Sequence, residues 1–324
     1  MKKNTKKTYK KSAKEKIDVY QLVTDRIIAL LEKGTVPWRK TWKSSGIGSF
    51  GFMNSPMNLK TKKAYRGINI FLLGSAGFES KYWATYKQIQ EMGGQVRGGE
   101  KSEMVVFWKK IMMDDEDKVT GEVKKKMIFL LKQYKVFNVE QADGLDGKVP
   151  QDEAKKPEIK SDEERINEAI EAAEELLKAM PEQPVLHHKG ESAFYHPTTD
   201  EITMPPKNTF DSSEAYYSTL FHETIHWTGH PSRSPRKGIA DMSLFGSETC
   251  SKEELVAEMG SAFLCSMTGI IDGTIDNSAS YIQNWLKVLK SDKKFVIIAS
   301  SQAEKAVKWM INEKEEIKED EESK

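Results

Sequence analysis

Cysteine is scarce: Cys250 and Cys265 are the only two in 324 residues. Two thiols cannot build a disulfide framework, and neither has a second Cys or a His at zinc-finger spacing. Both read as small buried hydrophobes in a chain suited to a reducing compartment. Long apolar runs are missing as well. No stretch of about 18 uncharged apolar residues occurs, which excludes a membrane-spanning helix. The N-terminus, MKKNTKKTYKKSAKEK, is basic but no apolar segment follows it, so it does not read as a secretory signal. These absences predict a soluble, cytoplasmic protein with no membrane partner.

Net charge is also small, at +1, but it hides an asymmetry. Residues 1–137 carry 29 Lys and Arg against 13 Asp and Glu, whereas the remainder carries 21 against 36. The first part suits a polyanion and the second would repel one. Eight of the cations fall in residues 1–16, and without them the N-terminal part is still basic.

Periodicity and breakers divide the chain. Residues 1–16 read as a disordered basic arm. Residues 17–31 repeat apolar side chains at helical spacing, and Gly34 stops them. Residues 104–108 (MVVFW) and 126–139 read as strands joined by a charged hairpin tip. Residues 143–160, rich in charge, Gly and Pro, read as a linker. A capping box, Ser161 with Glu164, then opens an amphipathic helix. The short strand-like pieces PVLHH, SAFYH and EITMP follow. Helices are expected from about Asp211 to Thr228, from a second capping box (Ser251 with Glu254) to about Thr268, and over residues 278–289 and 293–310. Residues 312–324 form a charged tail. The expectation is an α+β chain of two domains: a small basic α+β domain over 17–142, and a mainly helical domain with a small antiparallel sheet over 161–311.

One motif carries chemistry. His222-Glu223-Thr224-Ile225-His226 places two imidazoles four residues apart, on one face of a helix, where both can reach one metal ion. Glu223 beside the first ligand can then serve as catalytic base for a water. A catalytic zinc needs a third protein ligand. The HExxHxxGxxH pattern fails, because its last position is Ser232. A Glu from a later helix is the alternative, and Glu254 and Glu258 share a face there. Glu254 is assigned as the ligand and Glu258 as its support behind a histidine, with the reverse assignment open; Glu253 reads as solvated. His/His/Glu favours Zn²⁺. Tyr216, Tyr217 and His230 are candidates for stabilising an oxyanion, and the DEITMP segment for pairing with an extended substrate as an edge strand.

The basic half interleaves cations with rings: Trp38, Lys40 and Trp42, then Lys62, Tyr65 and Arg66, then Trp83 and Lys87. Single-stranded nucleic acid is held by this chemistry, with phosphates on cations and unpaired bases on rings. The same rings could equally form the core of a small domain.

The order of motifs resembles the ArdC-type antirestriction proteins of plasmids and other mobile elements. The resemblance rests on Pro37-Trp38, Ala64-Tyr65-Arg66-Gly67-Ile68-Asn69, Trp83-Ala84-Thr85-Tyr86-Lys87-Gln88, Gly99-Glu100-Lys101, the His222–His230 stretch and Glu253–Glu258. It implies an N-terminal single-stranded-DNA-binding domain joined to a C-terminal zincin-like metallopeptidase domain. It adds Asn69 and Lys101 to the candidate DNA-binding residues and a host protein as a candidate substrate. Two expectations follow: a DNA-binding metallopeptidase that needs Glu223, or a DNA-binding protection protein whose zinc site is structural or vestigial. A nuclease or primase fragment fits less well, since the carboxylate cluster of a Mg²⁺ site is lacking.

Overall fold

Asp18 opens the first helix by accepting from the backbone N–H groups of Tyr20 and Gln21, and Val23, Ile27 and Leu31 then bury one stripe of it. The structure, a computed structural model, describes residues 17–38, 55–116, 123–150, 161–240, 248–270 and 279–313. The N-terminal half runs α1 (Val19–Leu31), β1 (Met57–Asn58), α2 (Ile68–Gly74), β2 (Tyr82–Ala84), α3 (Tyr86–Glu91), β3 (Gln95–Val96), β4 (Glu103–Glu116), β5 (Val123–Asn138) and β6 (Ala142–Asp143). Strands β1, β2, β5 and β4 form one sheet in that order, and β3 pairs with β6. The β4–β5 hairpin is far longer than its neighbours, so most of it extends beyond the sheet.

The C-terminal half runs α4 (Asp162–Lys178), β7 (Val185–His188), β8 (Phe194–His196), β9 (Glu201–Met204), α5 (Ser213–Thr228), α6 (Lys237–Ala240), α7 (Glu248–Thr268), α8 (Ala279–Ser291) and α9 (Phe295–Met310). The Ser161–Glu164 capping box forms as expected. Ser251 and Glu254 do not cap a helix. Helix α7 starts earlier, at Glu248, and the Glu254 carboxylate is thereby left for another role.

Three expectations are corrected. The small sheet is mixed rather than antiparallel: β8 runs antiparallel to β9, but β7 runs parallel to it. Consequently β9, the EITM strand, is central and its backbone groups are already paired, so it cannot receive a substrate strand at an edge. The linker also begins later than residue 143. Asp143 is in β6, and Leu145 packs with Ile89 and Val96 in a small N-terminal core.

The two halves are not beads on a string. One hydrophobic core takes in Val23, Ile27, Trp38 and Phe71 from the first half and Phe263, Trp285, Val296 and Ala303 from the second. Phe71 stacks on Phe263 with ring centroids 4.7 Å apart, and Trp38 meets Trp285 edge-on at 5.3 Å. Polar ties cross the same boundary. Thr24 Oγ1 donates to the Lys293 carbonyl at 2.7 Å, and the N–H of Gly67 donates to Glu304 Oε2 at 2.8 Å. Gly67 turns there with φ +54°, a conformation that a side chain would strain.

A candidate metal centre between two buried helices

Helix α5 begins where Ser212 accepts from the N–H of Ala215, and nearly every side of it is buried. Helix α7 lies against it because Gly260 has no side chain. A Cβ at that position would come within 2.7 Å of Ile225. This approach sets the acidic face of α7 opposite the two histidines.

The Nε2 atoms of His222 and His226 face each other at 3.1 Å. Glu254 reaches both, with Oε2 3.4 Å from His222 Nε2 and Oε1 3.5 Å from His226 Nε2. One ligand atom from each of these residues lies within 4.8 Å of the other two. Two imidazole nitrogens and one carboxylate are a donor set that suits zinc or a similar first-row divalent ion. Glu254 keeps about a third of its side chain exposed, so the cluster is open on that side. Glu223, next to His222 on the helix, is buried.

The far nitrogens of the two rings also meet carboxylates. Glu258 Oε1 stands 3.8 Å from His222 Nδ1, and Glu253 Oε1 stands 3.4 Å from His226 Nδ1. Such partners fix the tautomer and turn Nε2 toward the centre. Glu253 is therefore not solvated, as its sequence position had suggested. It is buried, and Arg236, also buried, grips it at 2.7 Å through Nη2 while donating to Thr228 Oγ1 at 2.9 Å. Burial opposes protonation of both imidazoles, but Glu254, together with Glu253 at His226, outweighs it. His222 sits above the usual histidine range and His226 well above it. Burial would likewise raise Glu254, yet the two histidines hold it well below the usual carboxylate range.

Of the candidates for an oxyanion helper, the two tyrosines point away from the histidine pair. A helix turns by 100° per residue, so Tyr216 and Tyr217 leave α5 about 120° and about 140° around from His222. Their hydroxyls are engaged there, Tyr216 with His188 Nε2 at 2.8 Å and Tyr217 with Glu174 at 2.6 Å and Lys207 at 2.9 Å. His230 pairs with Ser232 Oγ at 2.8 Å.

Most ringed candidates for DNA contact are core residues. Trp38, Tyr65 and Trp83 are only 2%, 3% and 2% exposed, which leaves no face for a base. Asn69 is also buried. Its amide clasps the backbone of β4, accepting from Val106 N and donating to Val106 O, both at 2.8 Å. Lys62, Arg66, Lys87 and Lys101 lie at the surface. Lys40 and Trp42 lie outside the described residues.

Comparison with known proteins agrees with this arrangement. Residues 171–302 match the zincin-like metallopeptidase family, and residues 17–137 match the N-terminal domain of anti-restriction factor ArdC. The metal-free crystal structure of antirestriction ArdC from plasmid R388 is 39% identical, with a TM-score of 0.67 over 91% of this chain and 97% of the other. The chain belongs to the ArdC antirestriction family. The Mn(II)-bound R388 ArdC structure is 38% identical, with a TM-score of 0.68. Among sequence relatives, a DNA primase TraC of Escherichia coli is 36% identical over 90% of this chain, which spans only 27% of TraC. An uncharacterized protein, y4eC of Sinorhizobium fredii (strain NBRC 101917 / NGR234), is 34% identical and covered over 91% of its length.

Sequence reasoning on this ArdC-family chain missed two features. One is the Arg236–Glu253 pair, invisible because the partners are 17 residues apart and the angle between α5 and α7 decides which carboxylate turns inward. The other is the exposed set of rings on the β4–β5 hairpin, including Phe107 and Tyr134. The signal was there, in rings alternating with Lys109, Lys110, Lys132 and Lys135. Among the described residues, no helix is long and apolar enough to cross a membrane.

Proposed function

We propose that this ArdC-family chain is an antirestriction protein of a mobile element, acting in the cytoplasm, which binds single-stranded DNA with its basic half and carries a zinc metallopeptidase site in its C-terminal half. The observation that supports the enzymatic part best is the convergence of His222 Nε2, His226 Nε2 and the Glu254 carboxylate beside Glu223. A divalent ion held by those three residues supplies Lewis-acid polarisation of a carbonyl and of water. Glu223 is the base that takes a proton from the attacking water and returns it to the leaving amine. Glu253 and Glu258 hold the imidazoles in register, and Arg236 keeps Glu253 in place. A substrate strand would have to pair at β7 or β8, the outer strands of the small sheet.

The test combines two measurements on wild type and Glu223→Gln. Binding to labelled oligo-dT is followed across a salt series, and new protein termini are counted in a host lysate exposed to each zinc-loaded protein. The proposal predicts salt-dependent DNA binding by both and new termini from wild type alone. New termini from neither protein would reduce the site to a structural one in a DNA-protecting protein. Absence of DNA binding would remove the N-terminal reading.

A further inference from the structure

We infer that single-stranded DNA lies along one face of the β4–β5 hairpin, its bases stacking on Phe107 and Tyr134 and its phosphates meeting Lys109 and Lys132. The inference rests on the single-stranded-DNA reading above and gives that reading a place on the molecule.

The pleat and the register define the face. Val105 pairs with Tyr134, Phe107 with Lys132, and Lys109 with Leu130, and residues paired across an antiparallel ladder point the same way. At the base of the hairpin this face is core, where Val105 and Val136 pack with Tyr65 and Trp83. One step outward it becomes surface. Phe107 and Tyr134 are each 37% exposed and meet edge-on with centroids 5.7 Å apart. Phe107 also lies 6.1 Å from Tyr65, so the exposed pair is braced from below rather than free to collapse. Arg66 follows Tyr65 and is mostly exposed, with its Nε 4.0 Å from Glu304 Oε1.

The opposite face serves a different purpose near the base. Val106 and Leu131 are buried in the shared core, and Trp108 leans on Tyr20 of α1 at 6.1 Å. Trp108 nonetheless stays 45% exposed, and farther out that face also exposes Met112, Met127 and Phe129.

The charge pattern selects the occupant. A protein partner would favour an interface with few lysines. Here each exposed ring has a lysine beside it, and Lys109 and Lys132 have no carboxylate partner among the described residues. Rings for base stacking interleaved with cations for phosphates are what a single strand requires. A two-stranded ribbon showing apolar side chains on both faces is also marginal in water, and a bound strand would cover one of them.

The experiment measures oligo-dT affinity of the full-length protein by fluorescence anisotropy. The variants are wild type, Phe107→Ala with Tyr134→Ala, Phe107→Trp, Lys109→Gln with Lys132→Gln, and Phe129→Ala on the other face. Zinc affinity and thermal unfolding of each variant report that the fold is intact. The double ring variant should lose about tenfold or more in affinity, since each stacked base contributes on that scale. Phe107→Trp should bind as wild type does. Removing both lysines should flatten the slope of log K against log salt by about 1.4, or about 0.7 for each phosphate contact. Phe129→Ala should stay within about twofold of wild type, well below the loss of one stacked base. If wild type binds and the ring and lysine variants bind equally well, the hairpin assignment is overturned while DNA binding stands. If Phe129→Ala loses as much as the double ring variant, the choice of face is wrong. If wild type does not bind at all, the underlying reading fails and this one with it.

Discussion

His226 meets two requirements through its two ring nitrogens. Nε2 faces His222 and Glu254, while Nδ1 is held by Glu253, itself held by Arg236. Removing such a supporting partner weakens metal binding by about 10–100-fold in comparable sites. Glu253→Gln and Arg236→Ala should therefore each lower zinc affinity by about that factor, read by competition with a chelating dye, and Glu223→Gln should not. The raised histidines give a pH dependence whose sign can be worked out. In the metal-free protein the neighbouring carboxylates keep His222 and His226 protonated above the usual histidine range. A metal must displace those protons, so zinc affinity should climb as pH rises from about 6 to about 8, with protons released on binding. Calorimetry in buffers of different ionisation enthalpy checks this, and an affinity flat across that range would contradict it.

At the scale of elements, two clasps hold the scaffold. Asn69 at the start of α2 satisfies both backbone groups of Val106 on β4. Asn69→Ala should lower stability by about 1–3 kcal/mol, because a buried donor and acceptor lose their partner. Chemical denaturation measures this directly. Beyond α5, Arg233 stacks on Trp227 at 3.8 Å and donates to Asp200 at 2.8 Å, while Tyr195 donates to the same carboxylate at 2.9 Å. Burial would raise Asp200, but Arg233 and Tyr195 hold it below the usual range. A depressed acid stabilises the fold above its unfolded value of about 3.9 and loses that contribution as pH falls through its folded value. Asp200→Asn should thus cost stability at neutral pH and progressively less as the pH falls below about 3.9. Asparagine suits the test because residue 200 has φ +58°, which it tolerates.

These elements also show what a sequence makes legible. The histidine pair could be read from spacing alone, since four residues on a helix is a local geometry. The longer helices and the hairpin were legible for the same reason, whereas the short α2, α3 and α6 were not read from the sequence. The roles of Glu253 and Glu258 were not, because they depend on how α7 crosses α5. The rings were ambiguous because Trp38, Tyr65 and Trp83 alternate with lysines just as Phe107 and Tyr134 do. Only the packing shows that the first three are inside and the last two partly outside. The parallel pairing of β7 with β9, and with it the central place of β9, is likewise a long-range fact.

At the scale of the whole molecule, the halves share one core despite opposite charge. Asp18 pairs with Lys293 at 2.6 Å, and Phe71 stacks directly on α7, the helix that carries Glu253, Glu254 and Glu258. The chain should therefore unfold in one thermal transition. Phe71→Ala, expected to cost about 3–5 kcal/mol, should move that single transition downward. Two transitions, with only the earlier one moved, would show independent domains. The chemistry proposed for the C-terminal half depends on the metal centre that α5 and α7 would build. It is tested most directly by calorimetric titration of zinc into wild type, Glu254→Gln and Glu223→Gln. One ion per chain is expected, with near-wild-type affinity for Glu223→Gln and, for Glu254→Gln, a loss beyond the about 10–100-fold of a supporting residue. Equal affinity in wild type and Glu254→Gln would contradict it.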